Sequence, residues 1–188
     1  MSFNSPAQQT GNMNIQRSEA AKIIKNFVAA AESVITSTGQ TKVTGRTKAA
    51  TITQHAVIDG DAAGALSFEG DYGGQFIITF SKDAICEITS NMLFMETPYK
   101  NHRDPDVEGA IGEITNQIGG MGRLKINELT GWKAVNGIPS VIVGENIRWT
   151  LYGSGALIVH VPFTTPEMNE LYVEVAVLHH PMIREMKI

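Results

Sequence analysis

The sequence predicts an α+β protein in which helices pack against a mainly antiparallel sheet. Three segments carry apolar residues at helical spacing, and short runs rich in β-branched and aromatic residues lie between and after them. Turns containing Gly and Asp join these runs, as is typical of antiparallel meanders. The chain has 188 residues, 43% of them hydrophobic and 18% charged, which is enough for one well-packed domain.

Composition and charge argue against several classes of function. The formal net charge of -4 and the pI of about 5.7 disfavour a nucleic-acid partner, because phosphate backbones are bound by clustered Lys and Arg. No stretch approaches the roughly 18 consecutive apolar residues of a membrane-spanning helix. Cys86 is the one cysteine, and the chain does not open with a secretory signal pattern. We therefore expect a cytoplasmic protein with no membrane partner.

The chain is predicted to begin with a disordered leader, because residues 1–13 are polar and lack a hydrophobic period. One domain is predicted over residues 14–180, with residues 181–188 as a C-terminal tail. Its first helix is predicted to begin near Ile15 and to end before Gly39, a residue type that favours helix C-termini. The apolar stripe of this helix is Ile23, Ile24, Phe27, Val28, Ala31, Val34 and Ile35.

An antiparallel meander of three strands is predicted to follow this helix. Its strands are predicted at residues 50–58, 62–69 and 75–80, with turns at Asp59-Gly60 and at the Asp71, Gly73, Gly74 cluster. In the third strand, Phe76, Ile78 and Phe80 share one face and Ile77 lies on the other. Both faces are thus expected to be covered, and we expect helices to pack on the sheet.

Two further helices and a second group of strands complete the predicted fold. Ser81 is the predicted N-cap of a helix that runs to about Met95, before Pro98. The third helix is predicted from about Asp106 to Leu129, where Thr130-Gly131 follows as a stop signal. The later strands are predicted at residues 140–144, 147–152, 156–161 and 171–178, with a hairpin loop at 153–155.

The third helix carries the candidate functional residues. At about 100° per residue, Glu113 and Asn116 point together and away from the stripe formed by Ile111, Ile114 and Ile118. Both side chains are therefore expected to reach solvent. Ordinary solvated residues have the same pattern, so this spacing by itself does not establish a functional site.

Glycines occupy five positions of this helix, at 109, 112, 119, 120 and 122, although each costs roughly 0.5–1 kcal/mol relative to alanine. Gly109 and Gly112 lie about one turn before the Glu113 and Asn116 pair, and Gly120 lies one turn after it. These three are predicted to form a bare surface that a partner could approach closely. The alternative is that the glycines let the helix pack tightly on its neighbour.

The stretch GAIGEITNQIGGMGRLKINELTGWKAVNGIPSVIVGE, residues 109–145, resembles the signature of the CheX, CheC and FliY phosphatase family. That signature is Asp or Ser, three residues, Glu, two residues, Asn, twenty-two residues and Pro. Glu113, Asn116 and Pro139 match it, whereas Gly109 stands at the Asp or Ser position. The order of elements from about residue 15 to 178 also resembles the family, which implies a CheC/CheX-like fold.

The resemblance implies an enzyme, a phosphatase that hydrolyses the aspartyl phosphate of a phosphorylated CheY-type receiver domain. Glu113 and Asn116 would be its catalytic residues, with Asn116 orienting the attacking water and Glu113 docking on the receiver's lysine. It implies no cofactor or metal in this chain, since the receiver supplies Mg²⁺. Ser90 stands where a second site would need Asn, as in the single-site CheX type, which forms homodimers.

Two alternatives to this enzyme remain open. The first is a receiver-binding or dimerisation module with weak or no catalysis, which Gly109 at the Asp or Ser position of the signature favours. The second is a motor-switch-like structural component that works through assembly. The Glu113 and Asn116 pair argues against the second, because a scaffold has no need of a group that positions water.

Overall fold

The computed structural model describes residues 6–53, 55–152 and 157–179. Over these ranges the chain forms three α-helices, a short 3₁₀ helix and one eight-stranded sheet in which every pairing is antiparallel. The predicted α+β class, with an antiparallel sheet packed by helices, is confirmed. None of the described helices is both long enough and apolar enough to span a bilayer.

The elements follow one another as a helix, four strands, two helices and four strands. The helices are α1 (Pro6–Ser37), α2 (Lys82–Met92) and α3 (Pro105–Thr130), and the 3₁₀ helix is Thr47–Ala49. The strands are β1 (Thr44–Gly45), β2 (Thr51–Thr53), β3 (His55–Gly70), β4 (Gly73–Phe80), β5 (Ala134–Asn136), β6 (Ser140–Tyr152), β7 (Leu157–Thr164) and β8 (Glu170–His179). The sheet order is β1, β7, β8, β4, β3, β5, with β2 also paired to β7 and β6 to β3.

The main core lies between the helices and one face of the sheet. It includes Phe27 from α1, Ile85 from α2 and Ile111, Ile114 and Ile118 from α3, against Leu66, Phe76, Ile78, Phe80, Val161 and Val175 from the strands. The opposite face of the sheet is also buried at its centre, as the alternation at Ile77 predicted. Its cover differs from the predicted helix, because in the part of the chain that the structure describes Trp149 of β6 packs against the cluster of Ala65, Ile77, Ile158 and Ala176.

The predicted turn at Asp59-Gly60 is wrong, because β3 runs without a break from His55 to Gly70. The pairing of β3 with β6 shifts register between Gly60 and Ala62, which is a bulge. A Cβ at Gly60 would lie 2.2 Å from Cγ2 of Thr79, so the bulge needs a residue without a side chain. Asp61 accepts hydrogen bonds from the backbone nitrogens of Lys82 (2.9 Å) and Asn146 (3.3 Å). The Asp-Gly pair therefore marks a bend within a strand.

The second group of strands was predicted with one break too many. Residues 140–144 and 147–152 form the single strand β6, and Asn146 has a φ of 52° at the irregular point opposite the β3 bulge. The predicted hairpin loop at 153–155 lies outside the described residues, as does the predicted tail at 181–188.

The helix boundaries agree with the prediction most closely at α3. This helix runs one residue beyond the predicted bounds at each end. By contrast, α2 stops at Met92, three residues early, and Phe94 then takes a φ of 50°, so Pro98 does not cause the end. Helix α1 begins at Pro6, so residues 6–13 of the predicted leader are helical. Proline suits a first helical position, and extending a helix avoids the cost of nucleation.

Candidate functional site

The candidate site lies on α3, whose two ends are fixed by local signals in the sequence. Asp104 is the N-cap and its Oδ1 accepts a hydrogen bond from the Asp106 backbone nitrogen at 3.0 Å, while Pro105 takes the first helical position. At the other end, Gly131 adopts the left-handed conformation with φ 73°. The helical phase of α3, and thus the direction of each side chain, is well defined.

Two of the five glycines in α3 are packing residues. A Cβ at Gly119 would lie 1.9 Å from Cδ2 of Leu66 on β3, and a Cβ at Gly122 would lie 2.7 Å from Cδ1 of Phe27 on α1. The Phe27 ring is fully buried, so it could not move aside to make room for a Cβ at Gly122. For these two positions the tight-packing interpretation of the glycines is correct.

The other three glycines surround open space. Nothing lies within 4 Å of a Cβ built at Gly109 or at Gly120, and a Cβ at Gly112 would meet only Cγ2 of Val141, at 3.6 Å. These are the three positions predicted to form a bare surface. The five glycines therefore divide between the two interpretations, and Gly109, Gly112 and Gly120 have no packing role that requires glycine.

Glu113 and Asn116 emerge together from this bare surface. Both are exposed, whereas Ile114 between them is fully buried, as the helical wheel predicted. Side chains three residues apart on a helix are neighbours, with Cβ atoms about 5–6 Å apart. The structure gives the Asn116 amide no hydrogen bond from the described residues. Its donor and its acceptor are thus available to a water molecule or a partner.

Glu113, by contrast, is held by a neighbour that the sequence analysis missed. The Gln117 side-chain nitrogen donates to Oε1 of Glu113 at 2.6 Å, and Oε1 of Gln117 accepts from the Thr38 hydroxyl, also at 2.6 Å. The spacing of four residues between Glu113 and Gln117 was a signal that could have been used. Nothing in the sequence indicated Thr38, which is 79 residues from Gln117.

A shallow hollow of about 800 Å³ opens beside Asn116. It is lined by residues of three elements, among them Asn116, Gly120 and Arg123 of α3, Ser33 of α1 and Asn136 of β5. Arg123 and Lys125 bring positive charge to its wall and Glu128 brings a negative one. Asn116 is therefore at the edge of a surface depression lined by charged, polar and apolar side chains, with room for another molecule above it.

The 22 residues between Asn116 and Pro139 contain the rest of α3, strand β5 and the turn before β6. Strands β5 and β6 both contact α3, so this segment returns alongside the helix. The Gly137 backbone nitrogen donates to the Ser67 carbonyl oxygen at 2.9 Å, which holds the turn before Pro139 against β3. Val141, two residues later, faces Gly112. A Cβ at Gly119 would lie 3.2 Å from Nδ2 of Asn136, so the residues on both sides of Pro139 are close to α3.

Of the two acidic residues near Gly109, Asp106 is engaged by a neighbour and Glu108 is exposed. Gly109 is exposed, and Asp106 accepts a hydrogen bond from the Tyr99 hydroxyl at 2.6 Å. That hydrogen bond raises the pKa of Tyr99 to about 12. Asp106 is therefore engaged at the start of the helix, and Glu108 is exposed on the helix surface.

Helix α2 offers no second pair of this kind. Ser90, at the place corresponding to Asn116, is buried and donates to the Cys86 carbonyl oxygen at 2.6 Å. Glu87 accepts hydrogen bonds from Thr165 and Asn169, so it is tied to the turn before β8. Among the described residues there is also no group of three or more His, Cys, Asp or Glu side chains that could hold a metal ion. The candidate site is the α3 pair.

The sequence matches the family described as Chemotaxis phosphatase CheX over residues 62–164, more than half of the chain. A search of curated proteins gave no match. Among solved structures, a chemotaxis protein CheX from Desulfovibrio desulfuricans is 25% identical, with a TM-score of 0.71. The alignment covers 82% of this chain and 98% of that one.

Two further solved structures share the fold. A CheC-like superfamily protein from Shewanella sp. PV-4 is 20% identical and has a TM-score of 0.72, with 83% of this chain and 97% of that one covered. CheX in the CheX–CheY–BeF3–Mg²⁺ complex from Borrelia burgdorferi is 23% identical and has a TM-score of 0.64, again with 83% and 97% covered. At these identities the likeness concerns the fold.

Proposed function

Because this chain belongs to the CheX family of chemotaxis phosphatases, we propose that it hydrolyses the aspartyl phosphate of a CheY-type receiver domain. The observation that carries the proposal is the pair of Glu113 and Asn116, exposed side by side on a helix face with little side-chain cover. The spacing of this pair to Pro139 matches the family signature. The solved CheX–CheY complex from Borrelia burgdorferi supports a receiver as the partner class.

In this proposal Asn116 orients the attacking water. Its amide offers a donor and an acceptor on a short side chain, but it is a poor proton acceptor, so it acts as a positioner and not as a base. The water oxygen forms a bond to phosphorus as the bond between phosphorus and the aspartyl oxygen breaks. Inorganic phosphate, which keeps both protons of the water as H₂PO₄⁻, and the free aspartate carboxylate result. The hollow beside Asn116 supports the role, because it leaves room for the phosphorylated loop.

Glu113 supplies the electrostatic anchor. A carboxylate that pairs with the receiver's active-site lysine would dock α3 and hold Asn116 over the phosphoryl group, which is a proximity effect. No metal or cofactor is assigned to this chain, and the Mg²⁺ of the reaction belongs to the receiver. We also expect a cytoplasmic homodimer, as the family resemblance implies.

A second candidate function is receiver binding with weak or no catalysis. Gly109 favours it, because the position where the signature has Asp or Ser carries no side chain, and Asp106 nearby already binds Tyr99. The two candidates differ in one measurable property. A binding module would associate with the phosphorylated receiver without changing the rate at which phosphate is lost.

The proposed function is tested by incubating the purified chain with a panel of phosphorylated receiver domains and following phosphate release. We expect faster release from at least one receiver, in proportion to the amount of chain added. The same panel should include each receiver alone, because aspartyl phosphates also hydrolyse spontaneously. Binding without acceleration would support the second candidate, and neither binding nor acceleration across the panel would overturn the proposal.

The bare surface formed by Gly109, Gly112 and Gly120 is proposed as the face that the receiver approaches. Gly120→Ala should raise the free energy of unfolding by about 0.5–1 kcal/mol, because alanine favours the helix and meets no neighbour. The same methyl group should raise the KM for the receiver, since it stands between the two proteins. Thermal or urea unfolding and steady-state dephosphorylation measure the two effects.

Gly122→Ala is the matched control, on the same helix but facing α1. It should lower the free energy of unfolding by about 1–3 kcal/mol, because its Cβ would overlap the buried Phe27 ring. If Gly120→Ala is more stable than the wild type and has an unchanged KM, the receiver does not approach this surface.

A further inference from the structure

We infer that Gln117 and Thr38 are positioning residues that hold Glu113 in the conformation in which it docks on the receiver. The inference rests on the proposed function and extends it to two residues outside the family signature. It is carried by a chain of two hydrogen bonds, each 2.6 Å long, from the Thr38 hydroxyl to Gln117 and from Gln117 to Glu113. Thr38 directly follows Ser37, the last residue of α1, so the two hydrogen bonds connect the end of α1 to α3.

Gln117 can make both bonds in one orientation only. Its amide oxygen is an acceptor and its nitrogen a donor, and they point to opposite ends of the chain. The Thr38 hydroxyl donates to the oxygen, which leaves the nitrogen directed at the Glu113 carboxylate. An ionised carboxylate can only accept hydrogen bonds, so each of the two hydrogen bonds joins one donor to one acceptor.

Thr38 is itself fixed by the structure around it. Its backbone nitrogen donates to the Val34 carbonyl oxygen at 2.8 Å, at the last turn of α1. The next residue, Gly39, is buried, and a Cβ there would lie 2.6 Å from the Ile35 carbonyl oxygen and 3.0 Å from Cγ2 of Ile88 on α2. The hydroxyl therefore projects from a point where α1 is held tightly. Gln117 and Thr38 are both half-buried, whereas Glu113 is exposed.

This arrangement matters because an exposed glutamate otherwise samples many rotamers. Ordering such a side chain on binding opposes association, at a cost of up to about tenfold in affinity. Here one carboxylate oxygen, Oε1, is held in the free protein, and the described residues give Oε2 no hydrogen bond. The lysine of a receiver can then pair with Oε2 without displacing Gln117. The two hydrogen bonds thus hold Glu113 in place before the receiver binds. In this proposal Gln117 and Thr38 do not touch the phosphoryl group.

The test uses Gln117→Leu, which keeps the size and helix preference of the side chain and removes both hydrogen bonds. We expect the KM for the phosphorylated receiver to rise roughly five- to tenfold, with kcat within about twofold of wild type. Thr38→Val should raise KM less, and Thr38→Ser, which keeps the hydroxyl, should match the wild type. A purely structural role would not produce this split between KM and kcat or the rescue by serine.

Two further measurements make the test decisive. In a Glu113→Ala background, Gln117→Leu should have no additional effect on KM, because it acts through Glu113. In the chain alone, hydrogen exchange of the Gln117 side-chain amide should be faster in Thr38→Val than in wild type or Thr38→Ser. Equal exchange in all three overturns the inference without reference to any receiver. If the wild-type protein speeds phosphate release from none of the receivers, the proposed function itself is overturned.

Discussion

Asn116→Ala is expected to slow receiver dephosphorylation about 100-fold and to leave the fold intact. The amide has no hydrogen bond to the described residues, so its removal breaks none there. Alanine also favours a helix more than asparagine does, by roughly half a kcal/mol, so the variant should be slightly more stable. Without the amide the water is no longer held in line with phosphorus, and misplacement of a reacting group costs about 100-fold in rate. Single-turnover phosphate release and thermal unfolding measure the two effects.

Asn116→Asp is the matched control for this result. The carboxylate has the shape of the amide, but it cannot donate a hydrogen bond when ionised and it repels the phosphoryl oxygens. It should therefore be about as inactive as alanine, while Glu113→Gln should chiefly raise KM. Substantial activity in Asn116→Ala would contradict the role of Asn116 as a water positioner. The other polar residues of the hollow, such as Ser33 and Asn136, would then be the candidates for that role.

The fold class and α3 could be predicted from the sequence because their signals are local. Asp104-Pro105 and Gly131 mark the two ends of α3, and the isoleucines at 111, 114 and 118 define its buried stripe. Once the helix and its phase are known, the exposure of Glu113 and Asn116 follows from geometry. This part of the site depends on no other element of the chain.

The remaining features could not be predicted because they depend on residues distant in the chain. An Asp-Gly pair indicates a hairpin turn as readily as a bulge, and the choice at Gly60 is made by Thr79 on β4. The glycines of α3 look alike in sequence, and only the positions of Leu66 and Phe27 separate the packed ones from the open ones. The hydrogen bond from Thr38 to Gln117 depends in the same way on how α1 packs against α3.

The burial of Glu174 also could not be predicted from the alternation of apolar and polar residues along β8. Leu171, Val173 and Val175 lie on the face of the sheet that the helices cover. Because side chains alternate along a strand, this pattern suggests that Glu174 points to solvent on the other face. Its side chain is instead 0% exposed, and its Oε1 lies 2.7 Å from Nδ1 of His160 on the neighbouring strand. Its other oxygen, Oε2, has no partner among the described residues. The second face of the sheet thus contains a buried carboxyl that depends on one histidine.

His160→Leu is expected to lower the free energy of unfolding by about 3 kcal/mol, because it leaves the buried Glu174 carboxylate without a partner. Replacing both residues, as His160→Leu with Glu174→Leu, should recover most of that loss, since a well-packed apolar pair carries no desolvation cost. Urea unfolding of the wild type, the single variants and the double variant measures the coupling between the two positions. Arg46→Ala, which breaks an exposed ion pair with Glu170 on the same strand, should cost at most about 1 kcal/mol.

The pH dependence of the His160→Leu effect identifies its cause. Burial raises the pKa of Glu174 above the ordinary value of 4.5, and the hydrogen bond with His160 partly opposes this. A carboxyl whose pKa is higher in the folded state binds more protons there, so its contribution to stability falls as the pH rises above 4.5. The loss caused by His160→Leu should therefore be small near pH 4.5 and grow towards neutral pH, while the double variant shows no such trend. A loss that is equally large at both pH values would mean that the imidazole contributes through packing against Tyr172, whose ring centroid is 4.9 Å away, and not through the carboxylate.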